Sequence, residues 1–542
     1  MTGQASMPAE FDAILIGSGM GALTVASLLA SFGNKRVLVV ERHFQPGGMT
    51  HEFSRGHFRW DVGLHEVGSM NAWSPVRKVF DLVVDRQVNW NRTADPFDRF
   101  IYPNLTFDFY SGAGRFQQDL ISRFPAEASG IRRYLQEVRR AAFGFKSLLL
   151  QRNGSRLLRC LGQIAERIRP ARWQRTTAEV LNQHIRDPEL RSLLASQWCY
   201  YGLPPTMSPF PLHALIVDHY LNGAYYPEGG AGTIAAAVQK IVESRGGLFV
   251  SGQRVTEIIL RNGRAIGIRA CHHVRSYETA EYFAPVIISD AGAATTYLDL
   301  ISEKKAVPFR ADLLRFVSQA PYASHVAVYL GLKQNPAALG LTASSYFIFE
   351  DSDHDRVFQR LKNGPLELPA PMVFMTVPSM KIRTVMNDTA IDNARHTACL
   401  IVPAHYAHFE AWKSQPWYRR DKDYQDLKDT IAESAIGQVE RRFPGFASMV
   451  EYREVSTPIS TEHFTGHHHG AIYGLPGIAE RYETSAQAWT SPKSHIPGLY
   501  LTGSDVFSPG IVGAMFGGVL AMSHLPDGVS SARLLLSAFA QR

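Results

Sequence analysis

Three glycines and one acidic residue near the start of the chain have the spacing of a nucleotide-binding turn. Gly17, Gly19 and Gly21 are followed by Ala22, and Glu41 comes 22 residues after Gly19. In such a turn the first glycine permits a tight bend, the second lets the backbone approach a pyrophosphate, and the acid accepts hydrogen bonds from ribose hydroxyls. These residues predict that the chain binds a dinucleotide, and a purely structural turn is the alternative.

Two further glycine-containing turns indicate which dinucleotide is bound. Gly47 and Gly48 follow the acid closely, and glycines suit a loop that passes an extended flavin because side chains there would collide with it. Gly503 and Asp505, near the other end of the chain, form a turn that carries one carboxylate. Asp505 could hold a ribityl hydroxyl, and the glycine-rich helix expected from residue 510 could stabilise an anionic flavin. Flavin adenine dinucleotide (FAD) is therefore the predicted cofactor; an ordinary turn and a packing helix are the alternatives.

Hydrophobic runs predict the elements that position these residues. Apolar runs at 13–16 and 36–40 are typical of strands buried on both faces, and 23–32 is typical of a helix. Strand, glycine turn, helix, strand and acid follow in the order of a βαβ nucleotide unit. Other strands are predicted at 246–250, 255–260, 265–269, 286–292, 326–330, 398–402 and 499–502, and other helices at 233–244 (with Thr233 as N-cap), 424–441 and 510–521.

Composition limits the class of protein. The chain has 542 residues, of which 45% are hydrophobic and 19% charged, as in a globular protein and not in a disordered or collagen-like one. The spacing of Cys160, Cys199, Cys271 and Cys399 suits neither a disulfide framework nor a metal site, so a cytoplasmic location is expected. Neither a signal peptide nor a membrane-spanning helix is predicted. The three histidines at 467–469 are interpreted as a polar loop, so no metal is predicted.

Several motifs resemble one group of flavoproteins, the phytoene desaturase, carotenoid isomerase and retinol saturase family. The segment 36–48 is similar to the FAD ribose strand and glycine loop of that family, and 498–505 with 509–514 is similar to its C-terminal flavin motif. Asp61-Val-Gly-Leu-His65 resembles its retinol saturase and carotenoid isomerase branches. The segments 201–205 and 213–227 resemble the retinol saturase branch in particular. The resemblance therefore extends over most of the chain.

The resemblance implies an α/β fold with a Rossmann-like FAD-binding domain of the amine-oxidase and phytoene-desaturase type. That domain is expected in three pieces, 1–75, 226–300 and 490–542. A substrate-binding domain, 76–225 and 301–489, is expected to be inserted between them and to contribute a sheet that walls a substrate tunnel. Together with the motifs, the resemblance implies that FAD contacts Gly17, Gly19, Gly21, Ala22, Glu41, Arg42, Gly47, Gly48, Met49, Val255, Gly503, Asp505, Gly513 and Ala514.

The activity implied by the resemblance is FAD-dependent oxidoreduction of carbon–carbon double bonds. The substrate would be a hydrophobic polyene, retinoid, carotenoid or unsaturated fatty-acyl lipid, with an unknown electron donor or acceptor. Saturation, desaturation and isomerisation stay open, and saturation is favoured by the segment 201–227. Two other classes stay open as well: an amine-oxidase-like flavoenzyme, and a non-catalytic lipid carrier of the GDP-dissociation-inhibitor type. The retained Gly17, Gly19, Glu41 and Asp505 argue against the carrier.

Hydride transfer to an apolar substrate needs an apolar tunnel and a titratable group for any accompanying proton. The aromatic residues that could line the tunnel, or could simply form a core, are Trp198, Tyr200, Tyr201, Phe210, Tyr220, Tyr225 and Tyr226. The proton-transfer candidates are His65, His213 and Tyr225, followed by His219 and Tyr226, and a structural role is the alternative for each. His65 is preferred because its motif should lie beside the flavin. Glu66 departs from the aromatic residue expected there.

The formal charge of +7 is concentrated in one segment. Residues 132–175 hold twelve Lys and Arg against two Glu, a net charge of +10, so the remainder of the chain carries −3. Apolar residues at spacings of three and four within 157–168 predict a basic amphipathic helix. Such a helix could dock on an anionic membrane, which predicts peripheral association; a solvated helix is the alternative. Nucleic acid is not a predicted partner because no binding module accompanies the segment.

Overall fold

The computed structural model describes residues 11–153, 160, 162–164, 172–273, 278–363, 369–382 and 396–540. The strands in these residues, numbered in chain order, are β1 (Ala13–Ile16), β2 (Val37–Val40), β3 (Glu52–Arg55), β4 (Phe58–Asp61), β5 (Val67–Gly68), β6 (Trp90–Arg92), β7 (Asp98–Ile101), β8 (Thr106–Phe109), β9 (Ala224–Pro227), β10 (Leu248–Val250), β11 (Gln253–Arg261), β12 (Arg264–His272), β13 (Thr279–Phe283), β14 (Val286–Ser289), β15 (Ser324–Leu332), β16 (Ser345–Phe349), β17 (Met372–Thr376), β18 (His396–Ala404), β19 (Val450–Ser456) and β20 (Leu499–Leu501).

The α-helices among the described residues are α1 (Met20–Gly33), α2 (Pro75–Val83), α3 (Ala113–Arg123), α4 (Ala128–Asn153), α5 (Thr177–His184), α6 (Pro188–Ala195), α7 (Phe210–Tyr220), α8 (Gly232–Glu243), α9 (Arg310–Gln319), α10 (His354–Asn363), α11 (Pro378–Lys381), α12 (Lys422–Arg442), α13 (Phe446–Met449), α14 (Pro458–Thr465), α15 (Gln487–Thr490), α16 (Ile511–Met522) and α17 (Ser531–Ala540). The strands and helices predicted from hydrophobic runs are confirmed with shifted ends. Thr233 is not the N-cap of α8, because it lies inside the helix and its hydroxyl donates to the carbonyl of Gly230.

A five-stranded parallel sheet has the order β10-β2-β1-β14-β20. Ala13 of β1 is in register with Val37 of β2 on one side and with Val286 of β14 on the other. β1 and β2 are continuous apolar runs because every residue in them is buried. The strands come from all three segments predicted for the cofactor domain, although the domain boundaries stay a prediction. Since the sheet is parallel, the residues that follow its strands meet at one edge.

A seven-stranded sheet has the order β19-β15-β18-β17-β16-β7-β8. Its neighbours are antiparallel except β16 and β7. All residues of β15, β16 and β17 are buried, so these strands form a large part of the core. A three-stranded antiparallel sheet, β11-β12-β13, and two smaller sheets complete the strand pairing of the described residues.

The basic segment 132–175 is described only in part. The start of α4 buries Tyr134, Val138 and Phe145 in the core, whereas its opposite face exposes arginines, namely Arg132, Arg133, Arg139 and Arg140. Most of the helix predicted within 157–168 lies outside the described residues. No helix in the described part of the chain is both long and apolar enough to cross a membrane.

Candidate active site

A single cavity of about 700 Å³ reaches from the edge of the parallel sheet to the seven-stranded sheet. Gly17 and Glu41 line one end, and Phe347 of β16 and Phe374 of β17 line the other. Ten of the fourteen predicted cofactor residues line it: Gly17, Gly19, Glu41, Arg42, Gly48, Met49, Val255, Gly503, Asp505 and Ala514. The other four, Gly21, Ala22, Gly47 and Gly513, lie outside the lining.

The carboxylate of Glu41 follows β2 and is held by the turn that follows β1. The backbone N–H and the hydroxyl of Ser18 donate to Oε2 at 2.9 and 2.6 Å, and the N–H of His43 donates to Oε1 at 2.7 Å. Burial raises the pKa of Glu41, and these hydrogen bonds act in the opposite direction. A carboxylate has about four acceptor positions, so one remains for an incoming hydroxyl. This geometry is compatible with the role predicted for Glu41.

The glycine turns pack against each other. A Cβ on Gly21 would overlap the backbone of Gly503, and a Cβ on Gly48 would lie 2.8 Å from the Cα of Gly19. Gly48 also has a φ of +55°, which side chains disfavour. Glycine is therefore required at Gly21 and Gly48 by the close approach of other backbone segments, and not by a cofactor alone.

Asp290, which sequence reasoning missed as a site residue, follows β14 at the same edge. Its carboxyl accepts backbone hydrogen bonds from Ala22 and Gly19, at the start of α1, and it lines the cavity. Burial raises the pKa of Asp290 to about 7, and the carboxylates of Glu41 and Asp505 add to the shift. The signal for it in the sequence was an acidic residue directly after a third buried strand.

Two guanidinium groups could receive an anionic part of a cofactor. Arg42 and Arg254 both line the cavity, and burial, together with the nearby charge of Arg254, lowers the pKa of Arg42. Within the described residues, the buried Nε of Arg42 has no hydrogen-bond partner. A buried donor of this kind is normally paired, so an anion such as a pyrophosphate fits beside it.

The C-terminal turn also faces the cavity. Asp505 accepts the backbone N–H of Ala293 at 2.8 Å and of Leu475 at 2.7 Å. Gly510, Ile511 and Ala514 line the cavity, so the N-terminus of α16 faces it. The positive end of this helix dipole is therefore available to a negatively charged ligand.

Only one of the three preferred proton-transfer candidates lies at the cavity. His65 lines it, and burial together with the charge of Lys381 lowers the pKa of His65 to about 3, so the ring is neutral near pH 7. His213 is buried elsewhere, between the hydroxyls of Tyr134 and Tyr201 at 2.9 and 3.0 Å. Tyr225 pairs with Val67 in a small sheet. These placements favour structural roles for His213 and Tyr225.

The remaining aromatic and histidine candidates also divide between the cavity and the core. Trp198, Tyr200 and Tyr220 line the cavity. The others lie away from it: Tyr201 contacts His213, Phe210 packs in the core, Tyr226 donates to Asp61, and His219 accepts the backbone N–H of Gly68.

Next to His65 lies a buried polar group that we call the acid cluster, consisting of Glu66, Asp98, Tyr200, Ser345 and Lys381. Oε2 of Glu66 accepts from Ser345 at 2.8 Å and from Lys381 at 3.1 Å, and Lys381 also donates to the carbonyl of His65 at 3.1 Å. The hydroxyl of Tyr200 contacts both Glu66 and Asp98. Its members come from distant parts of the chain, so no local pattern could have predicted their proximity.

The chain is similar to known proteins over nearly its whole length. Residues 15–83 match a family model described as an NAD(P)-binding Rossmann-like domain. The all-trans-retinol 13,14-reductase of Rattus norvegicus is 33% identical over 533 residues, which cover 96% of this chain and 86% of that protein. The chain belongs to the all-trans-retinol 13,14-reductase family. The predicted family resemblance is thereby confirmed.

Relatives of the reductase family extend these findings. Prolycopene isomerase 1, chloroplastic, of an Oncidium hybrid cultivar is 26% identical and covers 94% of this chain and 83% of that protein. The solved structure of cyclohexylamine oxidase from Brevibacterium oxydans has a TM-score of 0.57 at 14% identity and covers 97% of this chain and 99% of that one. The predicted α/β fold of amine-oxidase type is confirmed. The chain is an oxidoreductase, as predicted.

Proposed function

We propose that this oxidoreductase uses FAD to reduce a carbon–carbon double bond of a hydrophobic polyene such as all-trans-retinol. The observation that carries the proposal is the continuity of the cavity. One end is formed by a nucleotide-binding glycine turn and an acid, and the other by apolar side chains, including Phe347, Met372 and Phe374. A dinucleotide and an apolar chain would therefore meet inside one enclosure. The reductase and isomerase names of the relatives support a polyene as the substrate.

The residues of the chain would divide the work. Glu41 would accept hydrogen bonds from ribose hydroxyls, Arg42 and Arg254 would pair with the pyrophosphate, and the N-terminus of α16 would face the flavin. When bound, FAD supplies hydride transfer. The aromatic side chains would orient the substrate and exclude water, because an apolar wall offers water no hydrogen bonds.

Reduction is favoured over the other reactions. The reductase relatives are more similar to this chain than the isomerase relatives, at 33% against 26% identity. The likeness to cyclohexylamine oxidase concerns the fold. Glu66 is a carboxylate in the wall of the apolar end, but it is already paired with Lys381, so its charge is not available to an ammonium group.

The purified protein tests the proposal through its flavin spectrum. We expect FAD to be released on denaturation, and the reduced protein to be reoxidised by all-trans-retinol without oxygen. Cyclohexylamine is the matched probe for the amine-oxidase alternative, and we expect it to leave the oxidised flavin unchanged. A colourless protein, or a reduced flavin that retinol does not reoxidise, would refute the proposal.

Peripheral membrane association is a separate proposal, supported by the exposed arginines of α4. A triple change of Arg132, Arg139 and Arg140 to Glu should weaken binding to phosphatidylserine vesicles, because it reverses charge on one face. The matched control changes Lys304, Lys305 and Arg315 to Glu, which alters the net charge equally. Equal binding of both triple variants to the vesicles would argue against docking through α4.

A further inference from the structure

If Glu66 and Asp98 were both ionised, the acid cluster would have too few hydrogens to form a hydrogen bond at each of its close oxygen–oxygen contacts. The Tyr200 hydroxyl lies 2.8 Å from Oδ1 of Asp98 and forms a second, shorter contact with Oε1 of Glu66. A phenol carries one hydrogen, so it can donate to only one of these oxygens. The second contact needs another hydrogen. One of the two carboxyl groups must therefore carry a proton.

The partners of each acid indicate where this proton resides. Glu66 accepts from both Ser345 and Lys381, donors that stabilise a carboxylate. The Oδ2 of Asp98 has no hydrogen-bond partner in the part of the chain that the structure describes. Lys381 can neutralise only one carboxylate, and Glu66 is the one it contacts. Burial and the nearby charge of Glu66 raise the pKa of Asp98 well above its usual range.

The acid cluster lies at the wall of the cavity, so its proton is close to the space where a substrate would bind. Glu66 and Tyr200 both line the cavity, whereas Asp98 lies behind them and is fully buried. His65, the neighbouring cavity residue, is neutral and is a poor source of a proton. The acid cluster therefore has a storage end away from the cavity and a delivery end at its wall.

We propose that Asp98 stores a proton and that Tyr200 relays it to Glu66, which delivers it to the substrate carbon next to the one that receives the hydride. This inference rests on the proposed function. One carbon of the double bond receives a hydride, with its two electrons, from the reduced flavin. The O–H bond of Glu66 breaks as a C–H bond forms at the neighbouring carbon. The relay leaves Asp98 as a carboxylate, and a proton from water restores it before the next turnover.

Infrared spectroscopy of the purified protein with its bound cofactor tests the stored proton without any substrate. At pH 9, where Asp290 with its pKa of about 7 is ionised, we expect a carbonyl stretching band of a protonated carboxyl group that shifts in D₂O and is lost in Asp98→Asn. The matched control is Asp108→Asn, because Asp108 pairs with Arg99 on the neighbouring strand, and it should keep the band. A band that persists unchanged in Asp98→Asn would overturn the storage role. If Asp98→Asn does not fold, the same band is measured in Tyr200→Phe. This variant removes the bridging hydroxyl, so the band should change in frequency, and an unchanged band would overturn the storage role.

A rapid-mixing experiment tests the delivery step. We expect Glu66→Gln to slow reoxidation of the reduced flavin by all-trans-retinol by about 10²–10⁴-fold, the usual contribution of a general acid. Reoxidation by ferricyanide, which protonates no carbon, should be unchanged. An unchanged retinol rate, or equal slowing with both oxidants, would overturn the inference in favour of a structural role. If wild-type flavin does not react with retinol, the proposed function fails, and the infrared result still decides where the proton is stored.

Discussion

At the scale of single residues, burial determines which groups can exchange protons at this site. His65 was the preferred candidate in the sequence because its motif was expected beside the flavin, but its imidazole is neutral near pH 7. In the sequence, Glu66 differs from the family motif, which has an aromatic residue at this position. The structure places it at the cavity wall with a buried acid behind it. Glu66 is therefore a stronger candidate for proton transfer than His65.

The raised pKa of Asp290 should be detectable in the pH dependence of protein stability. Its pKa is about 7 in the folded protein and near 3.8 in an unfolded chain. Between these values the folded state binds a proton that the unfolded state does not, so wild type loses stability as pH rises from about 4 to about 7. Asp290→Asn lacks this loss, so its free energy of unfolding should rise relative to wild type over that range, by up to about 4 kcal/mol. Urea unfolding of both proteins at pH 5 and pH 8, at the same cofactor content, measures this difference in unfolding free energy. A difference between Asp290→Asn and wild type that is the same at both pH values would contradict the raised pKa of Asp290.

Removing Lys381 should be costly because it leaves Glu66 buried and unpaired. The side chains are 0% and 1% exposed, and breaking such a pair typically costs about 3–5 kcal/mol. We expect Lys381→Met to lose this much in urea unfolding. The matched control is Lys422→Met, since Lys422 is 85% exposed in its pair with Asp426 and its loss should cost less than about 0.5 kcal/mol.

The double variant of Lys381→Met with Glu66→Gln provides a further check on the pair. It should recover part of the loss, because the uncompensated charge is then gone. Equal costs for the two lysine changes would show that Lys381 does not neutralise a buried acid.

Residues near each other in the chain could be predicted, and residues joined only by topology could not. Gly17, Gly19 and Glu41 fall within one βαβ unit, so their spacing alone predicts their proximity. Asp98 on β7 and Lys381 on α11 lie in one cluster because β7 pairs with β16. Ser345 of β16 is in register with Asp98 and contacts both Lys381 and Glu66. No local sequence pattern predicts the pairing of β7 with β16.

At the scale of elements, buried apolar runs predicted the parallel strands because a strand covered on both faces has no polar positions. Helix ends were less predictable. Thr233 has the chemistry of an N-cap, yet α8 begins one residue earlier because Gly229 and Gly230 adopt positive φ angles and bring the chain into the helix there. Tertiary geometry therefore overrides a local capping preference at this helix.

The junction of α1 with the turn after β20 should tolerate no side chain at Gly21. A Cβ there would overlap the backbone of Gly503, so Gly21→Ala should cost about 1–3 kcal/mol and weaken FAD retention. The matched control is Gly437→Ala inside α12, where a Cβ meets open space; it should stabilise the protein by about 0.5–1 kcal/mol. Thermal unfolding and flavin content measure both variants. A Gly21→Ala protein as stable as Gly437→Ala would contradict the close approach.

At the scale of the whole molecule, the two large sheets have complementary roles. The parallel sheet brings Gly17, Glu41 and Asp290 to one edge because its strands run in the same direction. The seven-stranded sheet supplies apolar side chains such as Phe347 and Phe374 on the far side of the cavity. The proposed reduction of an apolar polyene requires continuity between the two ends of the cavity. A substrate tunnel walled by this sheet was expected from the family resemblance and not from composition.

The mass of the product from a single turnover tests that claim most directly. The reduced protein is mixed with one equivalent of all-trans-retinol without oxygen, and the flavin spectrum and the product mass are recorded from the same sample. We expect one flavin to be oxidised for each retinol converted and a product heavier by two hydrogens, because a hydride and a proton add across one double bond. Retinol recovered with unchanged mass while the flavin stays reduced would contradict the account.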